Sequence, residues 1–273
     1  MKKIVRNLLL SGLIVTSVTL TSACEKGSMG PSDEQFVSII DVADDGTTTF
    51  NDINLKSTMV ETSALNDSEL AILIQMKDEE KMAGDVYSVL YEKWGSQIFS
   101  RISFAEDRHL NAVITLLKYY DAADTLVGEP GVFSNDEIQT LYNELILKGS
   151  VSAEEAMMTG AIIEEMDIKD LTEALDVVTN ENIIRVFENL LKGSRNHLRA
   201  FYHQLTKMGL VYTPVFISQE EYDAIVNSPM EQGNKYGIQN NNKQHRNGQG
   251  NSGGNGKGHG NGNGNGNGNG NGH

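Results

Sequence analysis

The stretch FAEDRHLNAV, residues 104–113, places two polar side chains within an otherwise apolar helical pattern. Glu106 and His109 are three residues apart, so they share one face of a helix. That face is apolar, because hydrophobic residues recur around it at helical spacing: Ile102, Ala105, Val113, Leu116 and Leu117. An unpaired carboxylate inside a protein costs several kcal/mol, so the pattern predicts a bound partner for Glu106.

One Glu-x-x-His pair is a weak signal, since a structural Glu–His or Glu–Arg ion pair has the same spacing. The surrounding chain, 62–228, is predicted to be almost entirely helical and to form one domain. Hydrophobic periodicity and helix-capping residues predict four long helices, a shorter helix before the third of them and a last short helix after Ser218. Their predicted ranges are 66–93 (or from 68), 97–121, 135–148, 152–178 and 180–208.

The ends of these helices are predicted from capping residues. Ser134 with Glu137 and Ser152 with Glu155 have the spacing of capping boxes, and Gly149 and Gly209 are typical C-terminal cap residues. A long connection, DTLVGEPGVF at 124–133, separates the first two long helices from the last two. The predicted fold class is therefore all-α, a four-helix bundle with a long crossover that carries an extra short helix.

Each long helix carries a metal-ligand type of residue on its apolar face. Glu80 lies between Met76 and Ala83, and His197 is in register with Leu190 and Phe201. On the third long helix, periodicity favours Glu164 only slightly over Glu165, and Asp167 is on the same side as Glu164.

Carboxylates with one imidazole per metal suit iron or manganese. Two neighbouring cations repel each other, so a dinuclear site needs several carboxylates to neutralise them.

Taken together, these motifs resemble the ferritin-like superfamily, and rubrerythrins in particular. The sequence EKMAGDVY matches the rubrerythrin pattern Glu-x-x-Ala-x-x-x-Tyr, and the second and third long helices match Glu-x-x-His and Glu-x-x-Glu. The matching residues are Glu80, Ala83, Tyr87, Glu106, His109, Glu164 and Asp167. Together with IIEEMDIKDL and NLLKGSRNHLRAF, these blocks are similar to a widespread prokaryotic ferritin-like family known only as a domain of unknown function. The resemblance covers about 65–227.

The resemblance implies a di-iron or di-manganese site that oxidises Fe(II) or reduces peroxide. The implied ligands are Glu80, Glu106, His109, Glu164, Asp167 and His197. Tyr87 is expected to hydrogen-bond a ligand carboxylate, with plain core packing as the alternative. A mononuclear zinc site would need fewer carboxylates than the sequence offers.

One departure from the ferritin-like pattern concerns the fourth long helix. Ser194 stands three residues before His197, where the pattern has a glutamate. Either Asp167 or Glu165 replaces that carboxylate, or the second metal binds weakly, or the site is vestigial. The alternative function is a metal-free helical bundle that acts as an interaction module at the cell envelope.

The charge balance of the chain argues against nucleic acid as a partner. The formal net charge is −15, from 22 Lys and Arg against 37 Asp and Glu. An acidic surface repels a phosphate backbone, whereas it attracts cations. The oligomeric state is left open, and a homo-oligomer is compatible with the sequence.

The N-terminal residues 1–24 have the pattern of a secretory signal peptide. Basic residues precede an apolar run, and small residues precede Cys24, the only cysteine in the chain. The segment resembles a bacterial lipoprotein signal, which implies lipidation of Cys24, export across the inner membrane and anchoring to the cell envelope. An ordinary signal peptide with a chance cysteine is the alternative. Residues 25–61 are predicted to be a linker.

The C-terminal residues 229–273 are predicted to form a disordered tail rich in Asn and Gly. From Gln239 onward the chain has almost no apolar side chain to bury. The tail contains His245, His259 and His273, but isolated histidines on a flexible chain lack the preorganisation of a specific metal site.

Overall fold

The computed structural model describes residues 39–42, 48–51, 55–57, 59–60, 62, 64–122 and 128–231. All of them belong to one structural unit that ends by Gly237. The predicted signal peptide with Cys24 and the tail beyond Glu231 lie outside the described residues. Within the described part of the chain, no helix is both long enough and apolar enough to cross a membrane.

Six helices account for most of the described chain, which confirms the predicted helical class. They are α1 (Asp67–Trp94), α2 (Gln97–Tyr119), α3 (Asp136–Gly149), α4 (Ala153–Val177), α5 (Glu181–Lys207) and α6 (Gln219–Val226). Two short strands, β1 (Ile40–Val42) and β2 (Thr48–Phe50), form an antiparallel pair in which Ile40 faces Phe50.

The strands lie within 25–61, the segment predicted to be a linker. Described residues of this segment pack onto the helices. Ile39 and Leu55 are buried in the core, and the Ile39 amide donates a hydrogen bond to Asn189 Oδ1 of α5 at 3.0 Å. The helical core therefore gains apolar contacts from residues that precede its predicted boundary at 62.

Helix caps explain where the helices begin. Asn66 caps α1 in a reciprocal capping box, since its Oδ1 accepts from the Glu69 amide at 2.9 Å and Glu69 Oε2 accepts from the Asn66 amide at 3.2 Å. Ser152 caps α4, as predicted. The predicted cap of α3 was one residue early, because Asn135 rather than Ser134 accepts from the first free amides.

The predicted helix ends lie within two residues of the observed ones, and two of them need a structural explanation. Helix α2 stops at Tyr119, earlier than the predicted Asp121, because Asp121 adopts a left-handed backbone with a φ of 53°. Gly149 is the last residue of α3 and is not left-handed; its missing side chain instead leaves room for Leu90, whose Cδ2 would lie 2.7 Å from a Cβ there. Gly209 follows α5 with a φ of 73°, as its predicted capping role requires.

The four long helices pack as two close pairs, α1 with α2 and α4 with α5. Contacts of α2 with α5 and of α1 with α4 join the pairs, so each long helix turns one face toward a shared interior. The short helix α3 contacts both α1 and α4 and is carried by the connection between the pairs.

The interior contains two hydrophobic clusters separated by polar side chains. One cluster contains Ala83, Tyr87 and Phe201, and the other contains Leu73 and Leu190. On each long helix, the predicted ligand lies in sequence between residues of one cluster and residues of the other. The fold therefore places a polar layer between two apolar ones, which limits the access of water to it.

Candidate metal centre

Two groups of three ligand-type side chains meet in this polar layer. Glu80, Glu106 and His109 form the first group, and Glu106, Glu164 and His197 form the second. Within each group, one ligand atom from each residue lies within 4.8 Å of the others. All five side chains are buried. The groups share Glu106, so the structure brings together five of the six predicted ligands, one or two from each long helix.

Glu106 occupies the middle of the site, with one oxygen toward each imidazole. Its Oε2 lies 2.7 Å from His109 Nδ1, and its Oε1 lies 3.0 Å from His197 Nδ1. Glu80 Oε2 is 3.3 Å from His109 Nδ1, and Glu164 Oε2 is 3.3 Å from His197 Nδ1. The two imidazole rings are 5.4 Å apart and inclined by 21°. Glu106 thus offers one oxygen to each of two groups that could hold a metal ion.

These short contacts join imidazoles to carboxylates, and they are ion pairs only when the imidazoles are protonated. Among the described residues, neither oxygen of Glu80 or Glu106 and neither nitrogen of His109 or His197 has a hydrogen-bond partner in good geometry. Buried polar groups normally form hydrogen bonds, so a concentration of buried atoms without them needs an explanation. Two ligand atoms each about 2.1 Å from one metal ion and at right angles are about 3.0 Å apart. The separations of 2.7–3.3 Å within each group are compatible with ligands of one metal ion.

The buried carboxylates of this site strongly favour positive charge close to them, as the pKa values of its residues show. Burial raises the pKa of Glu80 to about 8, although the charge of His109 opposes the shift. Burial alone would lower the pKa of His197, but the negative charges of Glu164 and Glu106 raise it to about 9. Both imidazolium charges, in turn, outweigh burial and hold the pKa of Glu106 well below its ordinary value. Without a metal ion, bound protons neutralise part of the negative charge of the carboxylates.

Tyr87 hydrogen-bonds a carboxylate of the site, as the resemblance implies. Its hydroxyl donates to Glu164 Oε1 at 2.5 Å, and its ring stacks on Phe201 with a centroid distance of 5.6 Å. The Glu164 carboxylate is thus oriented by Tyr87 on one oxygen while the other oxygen faces His197. Outer hydrogen bonds of this kind fix the direction of a metal ligand.

The loop after α5 binds Glu165, so that Glu164 and not Glu165 faces the imidazole of His197. Glu165 Oε2 accepts from the amides of Val215 and Phe216 at 2.7 Å each. It therefore binds the loop to α4 on a face that Glu164 does not share. Sequence periodicity separated the two residues only slightly, because adjacent positions on a helix differ by about 100° and both are buried here.

Asp167 and Ser194 occupy different roles from the five grouped residues. Asp167 is buried outside both groups, and burial together with the charge of Glu80 raises its pKa well above the ordinary value. Ser194 is also buried, and its hydroxyl donates to the Leu190 carbonyl at 3.2 Å. Neither side chain supplies a second bridging carboxylate between the two groups.

Gly193 contacts the site and was missed by the sequence analysis. A Cβ at this position would lie 2.6 Å from His109 Nε2, which is closer than real Cβ contacts. Only glycine therefore lets the imidazole of α2 lie against the backbone of α5. A glycine inside a helix is unfavourable by about 1 kcal/mol relative to alanine. This unfavourable glycine was the feature of the sequence that could have indicated close packing at position 193.

Replacing Gly193 with alanine is expected to displace His109 and weaken metal binding at the first group by about 10- to 100-fold, the range seen when the support of a metal ligand is removed. Overpacking is also expected to destabilise the metal-free protein by about 1–3 kcal/mol. Isothermal titration with Mn(II) and urea unfolding would measure the two effects.

The matched control is Gly84→Ala in α1, where a Cβ would meet Glu106 Cβ at an ordinary 3.5 Å. Equal metal affinity in the two variants would contradict the role assigned to Gly193.

Comparisons with known proteins identify relatives without an assigned activity. The model of a family described as "Uncharacterized protein domain (DUF2202)" matches residues 69–229. The uncharacterized protein MJ0754 of Methanocaldococcus jannaschii is 45% identical over 170 residues, which are 62% of this chain and 92% of that protein.

A crystal structure of the hypothetical protein MJ0754 from Methanococcus jannaschii DSM 2661 is similar to this chain with a TM-score of 0.62 and 43% identity. The similarity covers 64% of this chain and 100% of that one.

Proposed function

This chain belongs to the DUF2202 family, and we propose that it is a metal-binding protein with a ferritin-like four-helix bundle and a dinuclear iron or manganese site. The observation that carries the proposal is the convergence of buried ligand atoms, without well-directed hydrogen bonds, around Glu106. Buried carboxylates without partners are strongly unfavourable, and a shared cation removes that cost. Oxygen-rich ligation with one imidazole per position favours iron or manganese over zinc.

The charges of the site fit two divalent ions. Three buried carboxylates belong to it, those of Glu80, Glu106 and Glu164, and a fourth, Asp167, lies near them outside both groups. Two divalent cations would balance four negative charges and leave both imidazoles neutral, which is the form that binds metals. A single zinc ion would leave two carboxylates uncompensated in a low-dielectric interior.

We further propose a redox activity, the oxidation of Fe(II) or the reduction of peroxide. A bound pair of reduced metal ions would supply two electrons to one oxidant. Glu106 would hold the two positions together, and Tyr87 would orient Glu164 through its hydroxyl. The apolar clusters on either side of the polar layer would exclude bulk water.

Metal analysis of the full chain tests the proposal. After anaerobic incubation with Fe(II) or Mn(II) and removal of excess ion, we expect about two ions per chain, by the dinuclear template. Less than one ion per chain would remove the proposal. It would favour a metal-free interaction module at the cell envelope, which the buried Ser194 in place of a bridging carboxylate supports.

Metal uptake is expected to strengthen as the pH rises from 6 to 9. Protons and metal ions compete for the same atoms, and in the metal-free protein Glu80 titrates at about 8 and His197 at about 9. Both pKa values are raised, so at pH 6 both groups hold a proton that binding must displace. Titration in weak buffer should detect proton release on Mn(II) binding. Affinity that falls over this pH range would contradict the ligand assignment.

We also propose that the protein is exported and attached to a membrane through a lipid on Cys24. The support is the basic, apolar and small-residue pattern of 1–24. Cys24→Ala should move the protein from the membrane fraction to the soluble fraction of cells. Unchanged membrane association of this variant would contradict lipidation.

A further inference from the structure

A row of acidic side chains leads along α4 from solvent to the metal centre. Asp170, Asp167 and Glu164 are spaced three residues apart, so they lie on one side of the helix with a rise of about 4.5 Å per step. Their exposure decreases in the same order. The side chain of Asp170 is 27% exposed, whereas Asp167 is 4% exposed and Glu164 is fully buried.

Helix α1 adds a fourth carboxylate to this row. Glu79 is 7% exposed and precedes the site residue Glu80. Its Oε1 accepts from Gln75 Nε2 at 2.8 Å, while its Oε2 has no hydrogen-bond partner among the described residues. Glu79 is close enough to Asp170, Glu80 and Asp167 for these carboxylates to interact electrostatically. Glu79 is therefore a neighbour of both the outer carboxylate of α4 and the metal-centre residue Glu80.

Two buried oxygens along this row need a partner that the protein does not supply. Glu79 Oε2 and Asp167 Oδ2 are both without a hydrogen bond in the described structure. Neither belongs to the two groups that converge on Glu106. Buried carboxylate oxygens without a hydrogen bond are unfavourable. A cation that passes close to them would supply the missing partner.

At the outer end of the row, Asp170 takes part in a surface ion pair. Lys169 Nζ contacts Asp170 Oδ1 at 3.0 Å and Glu173 Oε2 at 2.9 Å. The Lys169 side chain is 30% exposed, and ion pairs of this kind contribute little to stability. A divalent cation carries twice the charge of the ammonium group and can displace it from Asp170.

We propose that Asp170, Glu79 and Asp167 line an entry route by which divalent cations pass from solvent, between α1 and α4, to the dinuclear site. This inference rests on the proposed metal-binding function. Each carboxylate attracts the ion in turn, and none offers the complete set of ligands that would hold it. The ion then passes to Glu164 and Glu80, where the imidazoles complete its ligation.

The test is the rate of Co(II) binding to the metal-free full chain, followed by stopped-flow absorption at low ionic strength. Glu79→Gln and Asp170→Asn are expected to slow binding by about ten-fold, because charges that guide an ion change association rates by 10-fold or more. The number of ions bound and the equilibrium affinity should stay as in the unchanged chain. Release of Co(II) to EDTA should therefore slow by the same factor.

The matched control is Asp176→Asn, which removes one negative charge from an exposed position on the same helix. The route would be overturned if Glu79→Gln and Asp170→Asn bound Co(II) at the same rate as this control. That result would not contradict the proposed metal site. A lower number of bound ions in Glu79→Gln would also overturn it, because Glu79 would then be a ligand. If the unchanged chain bound no Co(II), the proposed function itself would fail and the route with it.

Discussion

Glu106→Gln is expected to abolish metal binding at both proposed positions and to reduce the bound metal from about two ions per chain to fewer than one. The reason is geometric, since Glu106 Oε2 faces His109 and Glu106 Oε1 faces His197. An amide has nearly the same shape, but it is neutral and presents only one oxygen. We expect an affinity loss of more than about 100-fold, because changes to residues that merely support ligands already cost 10- to 100-fold.

Metal content after anaerobic loading with Fe(II) would measure the effect of Glu106→Gln. The control is Asp107→Asn, which makes the same change of charge at the next residue of α2, where the side chain is exposed. Circular dichroism would establish that both variants remain helical. Two ions retained by Glu106→Gln would mean that the metal positions, if present, do not share this carboxylate.

Metal loading is expected to raise the free energy of unfolding by about 5 kcal/mol when free metal is 100-fold above each dissociation constant. Each site contributes about 2.7 kcal/mol at that ratio if the unfolded chain does not bind the ion. For a helical unit of this size, the gain corresponds to an increase of about 10–20 °C in the midpoint of thermal unfolding. In structural terms, bound cations would replace the repulsion among Glu80, Glu164 and Asp167 with attraction.

Differential scanning calorimetry with and without Mn(II) would measure this shift. The Glu106→Gln variant is the control, because its fold is retained in our expectation while its metal sites are not. A shift of less than about 2 °C in the unchanged chain would correspond to 1 kcal/mol or less and would favour the metal-free alternative. An equal shift in both proteins would indicate binding to surface carboxylates instead of the buried site.

The helical class and most helix boundaries were predictable from local signals. Asn66, Ser152 and Asn180 each accept hydrogen bonds from the first free amides of a helix, and such caps depend on residues within one turn. The errors were also local in kind. Asn135 competed with the neighbouring Ser134 for the cap of α3, and the left-handed Asp121 ended α2 early.

The ligand-type residues were also predictable, because a carboxylate or imidazole on an apolar face conflicts with hydrophobic periodicity. Glu80, Glu106 and His197 stood out for that reason, and the structure places all three in one polar layer. The sequence could not show that Glu106 lies between the two imidazoles. That arrangement depends on the relative rotation of α2 and α5, which is set by packing over long separations in the chain.

The amino-acid sequence by itself determined the helices, the faces that they bury and the residue types on those faces, because these follow from interactions within a few residues. Only the tertiary structure decided that Glu164 rather than Glu165 faces His197, and that Gly193 makes room for His109. It also showed that Ile39 and Leu55 join the core. Each of these facts depends on contacts between segments far apart in the chain, where close packing selects one arrangement among several that the local pattern allows.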